Sequence, residues 1–302
     1  MSALRNGTFS PSRESMAANI AKKRRIDSFF RVLCAVCAFM ALVFLVVLLG
    51  QILYIGLSGL DWAFLTNYAS RRPADAGLRA GLIGSVWLMG IVILSAVPLG
   101  IAAAVYLEEY PMKGRINELI EVNITNLAGV PSIIFGILGL SLFVRGLNFG
   151  FSLLAGGLTL ALLVLPIVIV SSREAIRAVP QAYRTASYAL GATRLETIFR
   201  VVLPAAFPGI MTGVILTLSR AVGETAPLIV VGAATFIAFD PKSPMDQYTA
   251  LPIQIYDWIS RPQAEFQSLA ATGILVLLML MFILNGFAAF LRQRSQSKHA
   301  SH

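Results

Sequence analysis

The sequence predicts an all-α membrane protein with about six transmembrane helices, and three observations carry that prediction. Apolar residues make up 57% of the 302 residues and charged residues only 13%. Together with a mean hydropathy of +0.77, that excludes a water-soluble globular domain. The apolar residues fall into long runs at 29–56, 80–106, 124–144, 149–171, 209–238 and 268–291, each near the roughly 20 residues a helix needs to cross a bilayer. Lys and Arg gather between alternate runs, as they do in polytopic chains.

Residues 1–28 form a basic tail, of which 1–21, mixed in Ser, Asn, Arg and Met, read as disordered. The first run is too long for a cleavable signal and reads as a retained span, with an outer loop completing segment 29–79. Cys34 and Cys37 stand inside it at Cys-x-x-Cys spacing, with no redox fold around them, and read as buried, inert thiols. Pro98 and Pro166 fall inside spans and are expected to kink them. The segment Gly129-Val130-Pro131-Ser132 reads as a polar kink at the entrance of the third span, and Gly136 and Gly139 as points of close helix approach. The fifth run is the least regular, because it holds Arg220, Glu224 and Pro227. Segment 80–291 forms the core, and 292–302 is a short tail.

With the N-terminus inside, the inner segments carry the basic residues from Arg5 to Arg31, then Lys113 and Arg115. They also carry Arg173, Arg177, Arg184, Arg194, Arg200, Arg292, Arg294 and Lys298. The outer segments carry only Arg71, Arg72, Arg79, Arg145, Lys242 and Arg261. Both termini are therefore expected in the cytoplasm. The net charge of +9 reads as topology plus attraction to anionic lipid, with no nucleic-acid partner. The outer cluster Arg71, Arg72 and Arg79 runs against the bias. It reads equally as an anion-attracting mouth or a solvated loop.

Residues 185–204 form a polar island between apolar stretches. They read as two short amphipathic helices hinged at Gly191, exposed to the cytoplasm. Pro180 suits the first turn of the first helix. Ala182, Tyr183, Ala186, Ala189 and Leu190 share one face, and Gly191 takes the left-handed position after a helix end. Thr193 and Glu196 have capping-box spacing. Leu195, Ile198, Phe199 and Val202 line one side of the second helix, which Pro204 and Pro208 are expected to close.

This spacing resembles the EAA loop of type I ABC-importer permeases. There Glu-Ala-Ala is followed after three residues by Gly, and nine residues later by Ile-x-Leu-Pro. Ala186, Gly191, Leu203 and Pro204 match, and Val201 replaces Ile; Thr185 stands where the family has Glu, and Ser187 where it has the second Ala. The resemblance implies that loop 173–208 docks into a groove of a separate ATPase, with Ala186, Ser187, Gly191, Ala192, Leu203 and Pro204 as coupling residues.

The inventory excludes an enzyme of familiar type. The only histidines are His299 and His302, and no metal-ligand, nucleophile-elbow or phosphate-loop lysine pattern occurs. No cofactor is expected in this chain. Arg220 and Glu224 are the costliest residues, since a charge at mid-membrane carries a penalty of at least about 2.5 kcal/mol and usually faces a pathway and a partner. Four apart, they are expected one above the other on a helix face. They read as an ion pair that fixes packing, or as an oxyanion contact with Arg220 as a guanidinium fork and Glu224 easing release.

Three stretches, 126–136, 219–227 and 251–262, are similar to the permeases of phosphate importers. The chain is thereby identified as resembling the PstA-type permease of the high-affinity phosphate ABC importer over roughly 80–290. The resemblance implies the type I permease fold. It also implies a pathway through Ser219, Arg220, Glu224 and Thr225, and three kinds of partner: a homologous PstC-type subunit, two cytoplasmic PstB-type ATPases that bind ATP and Mg, and an extracytoplasmic PstS-type phosphate-binding protein. An ABC permease for sulfate or molybdate, and a secondary anion transporter, stay open as alternatives. Stretch 251–262, with Tyr256 and Trp258, reads as an amphipathic segment at the outer interface, serving a receptor dock or a lipid anchor.

Overall fold

The computed structural model describes residues 13–110 and 115–299, and among them every regular element is helical. The chain divides into two units, Met1–Tyr54 and Ile55–His302. Helix α1 (Arg13–Ser58) takes up the described residues of the first and ends in the second. It begins well before residue 29, so part of the expected disordered tail is helical; residues 1–12 lie outside the described ones. Its apolar stretch Ile26–Ser58 has 33 residues, about 50 Å of helix, against roughly 30 Å of hydrocarbon. Phe29, Phe39 and Phe44 are exposed on it. Cys34 and Cys37 are exposed too. The expectation that they are buried is not met: both lie on exposed positions of α1.

The second unit is built on α3 (Arg79–Glu109), α6 (Leu153–Arg177), α9 (Leu203–Val222) and α12 (Ala264–His299). Of the apolar stretch of α6, 67% is buried, against 28% for α3, so α6 is the central post. Leu88 and Val92 of α3 meet Leu160 and Val164 of α6 in one core. At the Glu109 end, Ala104, Val168, Ile176, Ile210 and Val214 form a second core among α3, α6 and α9. At the Arg79 end, Phe64 of α2 (Trp62–Thr66) joins Leu78, Trp258 and Phe266 in a third. These last two lie at opposite ends of α3, whose 31 residues extend about 46 Å.

The third apolar run is not one straight span. Val122–Ala128, the end of α4 (Arg115–Ala128), and Ser132–Gly146 meet at 101°. The break falls at Gly129–Pro131, where Pro131 is extended (φ −54°, ψ 134°), so the expected kink is a sharp bend. After it, α5 (Ser132–Gly139) lies close to α10 (Ala226–Val230). A side chain at Gly136 would sit 2.8 Å from Pro227 Cα, so close helix approach is the role of that glycine.

Helix α11 (Leu251–Ile259) packs inward. Trp258 is buried, its ring 5.8 Å from that of Phe64, so it is a core residue and not an interfacial anchor. Tyr256 alone of the two aromatics is exposed. Two buried polar groups fasten α11 to its surroundings. Gln254 Nε2 donates to the Gly77 carbonyl at 2.8 Å, and Leu251 N–H donates to Ser85 Oγ at 2.9 Å. Nearby, Arg79 grips Asp240 through Nε at 3.0 Å and lies over the Tyr68 ring. Its charge is thus met within the chain, which takes Arg79 out of the anion-mouth reading and leaves Arg71 and Arg72 exposed.

Candidate functional site

The helix pair around Gly191 forms as its residues dictate. Pro180 stands one residue before α7 (Gln181–Ala189), in extended conformation, so it introduces the helix instead of entering its first turn. The Gly191 N–H donates to the Tyr188 carbonyl at 3.0 Å and the Ala192 N–H to the Ser187 carbonyl at 3.2 Å. This is the paired ending that satisfies the last carbonyls of a helix. Gly191 has φ +84° with open space around it, so conformation and not crowding demands glycine there. Helix α8 (Arg194–Thr197) then starts on a complete capping box. Glu196 N–H donates to Thr193 Oγ1, and Thr193 N–H donates to Glu196 Oε2 at 2.9 Å. Ala182, Tyr183, Ala186, Ala189 and Leu190 are all exposed, Leu190 to 89%.

The apolar stripe of the second helix divides. Ile198 and Val202 are buried, Val202 in the core with Ala104, Val168 and Ile176, while Leu195 and Phe199 stay exposed. Pro204 and Pro208 do not close this helix. Ile198–Val202 form a wide π turn, in which Leu203 N–H donates to the Ile198 carbonyl five residues back. The extra residue relieves the clash a proline ring has with the preceding turn, and α9 continues through both prolines. One helical run therefore extends over Arg194–Val222, 29 residues, or about 43 Å. The expected fifth span of 209–238 is accordingly 194–222, and Leu203 and Pro204 lie directly after its π turn.

A charged lock sits beneath the pair. Glu108 and Glu109 end α3, where the helix dipole disfavours acids, and arginines from the other elements answer them. Arg177 Nε lies 3.2 Å and Arg173 Nε 3.5 Å from Glu108. Arg184 of α7 meets Glu109 at 2.7 Å, with both side chains buried. Arg194 donates to the Glu109 carbonyl and covers the Tyr110 ring at 4.6 Å. Beside the lock opens a cleft of about 800 Å³, lined in part by Pro180, Gln181 and Tyr188. Sequence reasoning counted Arg184 only toward topology. Two acids at a helix C-terminus were the available signal.

At the far end of the same helical run, α9 stops at Val222, and Gly223–Thr225 break the chain before α10. The pair Arg220–Glu224 does form, Nε to Oε1 at 3.4 Å. It forms across a helix end, however, not along a helix face as expected. Arg220 lies in the last turn of α9, where a cation suits the dipole, and its side chain is 59% exposed against 16% for Glu224. Thr225 adjoins Glu224, its hydroxyl toward the Gly223 carbonyl at 3.5 Å. Ser219 is buried and its hydroxyl meets Asn285 Oδ1 of α12. The structure thus brings Arg220, Glu224 and Thr225 together and gives Ser219 a packing partner elsewhere. Broken helices of this kind are where membrane transporters expose backbone and charge to a cavity.

The model of the family described as binding-protein-dependent transport system inner membrane component matches residues 96–297. The chain belongs to that family. The match takes in the helix pair, the charged lock and the broken helix, and the several long apolar helices make this family member a multi-pass membrane protein. It is 32% identical over 260 residues to the probable ABC transporter permease protein YqgI of Bacillus subtilis, covering 82% of this chain and 88% of that one. It is 38% identical over 217 residues to the phosphate transport system permease protein PstA 1 of Mycobacterium tuberculosis, covering 72% and 70%. With PstA of Yersinia pestis the identity is 32% over 274 residues, covering 90% and 92%. Among solved structures, a bacterial ABC transporter that imports the polysaccharide alginate superposes with a TM-score of 0.58 at 15% identity, covering 91% of this chain and 99% of that one. An inward-facing MetNI methionine ABC transporter gives 0.57 at 16% identity, covering 72% and 96%. These two bear out the all-α ABC-permease fold and speak only to fold.

Proposed function

We propose that this family member is the transmembrane subunit of an ATP-driven phosphate importer. One observation carries the mechanism: a single helical run, Arg194–Val222, joins the exposed helix pair to Arg220. A push on the pair from an ATPase is then delivered some 43 Å away without a flexible joint. Relatives named as phosphate transport permeases supply the substrate.

In this reading the Lys/Arg bias sets both termini and the helix pair in the cytoplasm of a bacterial inner membrane. Leu190, Leu195 and Phe199, all exposed, enter a groove on one of the two PstB-type ATPases, which bind the ATP and Mg. The chain itself hydrolyses nothing. A PstC-type subunit completes the pathway, and a PstS-type protein delivers phosphate from outside and supplies the selection. Phosphate then meets the Arg220 guanidinium, whose planar fork suits an oxyanion. Glu224 repels the same anion and shortens its stay.

The test is uptake of labelled phosphate by the reconstituted complex in liposomes. ATP-dependent uptake that needs the binding protein supports the reading. Uptake of sulfate or molybdate instead would reassign the cargo, and gradient-driven uptake by this chain alone would make it a secondary transporter.

A further inference from the structure

We propose that Arg184 and Glu109 form a positioning latch, which makes α7, the last turn of α6 and the end of α3 move as one body. The proposal rests on the import reading above and adds a second route for motion, into α3 as well as α9.

The argument begins with an oddity of α7. Of its nine residues only Arg184 is buried, so a helix that must pass on a push is fastened chiefly through one side chain. That side chain makes four donations. Nε and Nη2 go to Glu109 Oε1 at 3.0 and 2.7 Å. Nη1 goes to the Val179 carbonyl at 2.7 Å and Nη2 to the Ile176 carbonyl at 3.0 Å. The Ile176 carbonyl belongs to the last turn of α6 and Val179 to the turn that follows it, and Glu109 is the acid that ends α3. One planar guanidinium thus pins three elements, which the ammonium of lysine, a point charge with three rotatable donors, cannot reproduce. Burial is 9% and 6% residual exposure for the two side chains. A buried pair of this kind adds little net stability and is retained for the geometry it enforces. Arg194 fastens α8 to the same place by its bond to the Glu109 carbonyl.

The experiment has two arms. In the reconstituted importer, Arg184→Gln and Arg184→Lys are expected to assemble and to hydrolyse ATP within about twofold of the parent. Phosphate moved per ATP falls by roughly tenfold, the scale of a coupling free energy. In the second arm, spin labels are placed by Ala102→Cys and Gln181→Cys, both exposed positions, with Cys34→Ser and Cys37→Ser. Their separation is expected to be the same without nucleotide and with ATP trapped. An unchanged transport ratio in an assembled Arg184→Gln complex overturns the latch, and so does a change in label separation on trapping. If Arg184→Gln does not assemble, the label separation decides alone. Failure of the parent complex to import phosphate sinks the import reading instead, and the label separation still judges the latch.

Discussion

The Ser187 hydroxyl lies 2.8 Å from that of Thr197, which braces α7 against α8 across the turn that Gly191 makes at φ +84°. Proline at 191 would force φ near −65° and remove the N–H that Gly191 donates to Tyr188. In the reconstituted complex Gly191→Pro is expected to keep ATP hydrolysis while phosphate uptake per ATP drops by about tenfold. Gly191→Ala meets no clash and bears only the left-handed strain, about 1–2 kcal/mol. Its effect on coupling is expected to be smaller. A Gly191→Pro importer with normal coupling would show that the turn is not a joint.

The divided stripe of the second helix gives a paired test. Ile198 is buried and Leu195 exposed. Ile198→Ala is expected to cost about 2–5 kcal/mol, as large-to-small core changes do, and to lower the midpoint of thermal unfolding in detergent. Leu195→Ala is expected to leave that midpoint within about 0.5 kcal/mol of the parent, yet to weaken co-purification of the ATPase subunit. Equal effects of the two on unfolding would mean the stripe is buried as one face.

Which parts were legible in the residues follows from how far apart the deciding partners lie. Gly191, Thr193 and Glu196 each bond a partner three residues away, so their turn and capping box could be read directly. Pro204 misled because the rule that proline ends a helix assumes an α register, and the π turn before it changes the register. Trp258 misled for a different reason. Its neighbour Phe64 is remote in sequence, and an amphipathic pattern does not say whether the apolar face meets lipid or protein. The Arg184–Glu109 bond spans 75 positions, beyond any periodicity. Only the misplaced acids at the end of α3 hinted at it.

The inward packing of α11 separates its two aromatic residues. Trp258→Ala is expected to destabilise by about 3–5 kcal/mol, because the ring fills a core shared with Phe64, Leu78 and Phe266. Tyr256→Ala is expected to change stability by no more than about 0.5 kcal/mol, since Tyr256 is exposed. Thermal unfolding of the purified protein measures both, and a large loss at Tyr256 would contradict the packing.

Asp246 orders the loop before α11, accepting backbone N–H bonds from Lys242 at 2.7 Å and Ser243 at 2.9 Å. Those two bonds hold its carboxyl below the ordinary aspartate range. A lowered folded pKa means the contribution is complete above the unfolded value, near 3.9, and is lost as pH falls through the folded one. Hydrogen exchange of the Lys242 and Ser243 amides, normalised to intrinsic rates, is therefore expected to stay protected at mildly acidic pH and to lose protection below the ordinary aspartate range. Asp246→Asn is expected to weaken that protection at neutral pH. Protection independent of both pH and substitution would mean that the loop is held by other contacts.

Arg220 and Glu224 are expected to act on transport in opposite ways. Their bond is long, 3.4 Å, and Arg220 is well exposed, so the pair contributes little to stability and neither substitution should prevent insertion. Arg220→Gln removes the guanidinium proposed to attract the anion, and uptake is expected to fall by about tenfold or more, the cost of one charge-assisted bond of roughly 1.5–3 kcal/mol. Glu224→Gln removes the repulsion proposed to return the anion to solution. Uptake is then expected to saturate at lower phosphate and at a lower maximal rate. Initial-rate measurements on complexes matched for membrane abundance separate the two. Full uptake by Arg220→Gln would place the anion's path away from the broken helix. A Glu224→Gln defect in abundance alone would reduce the pair to packing.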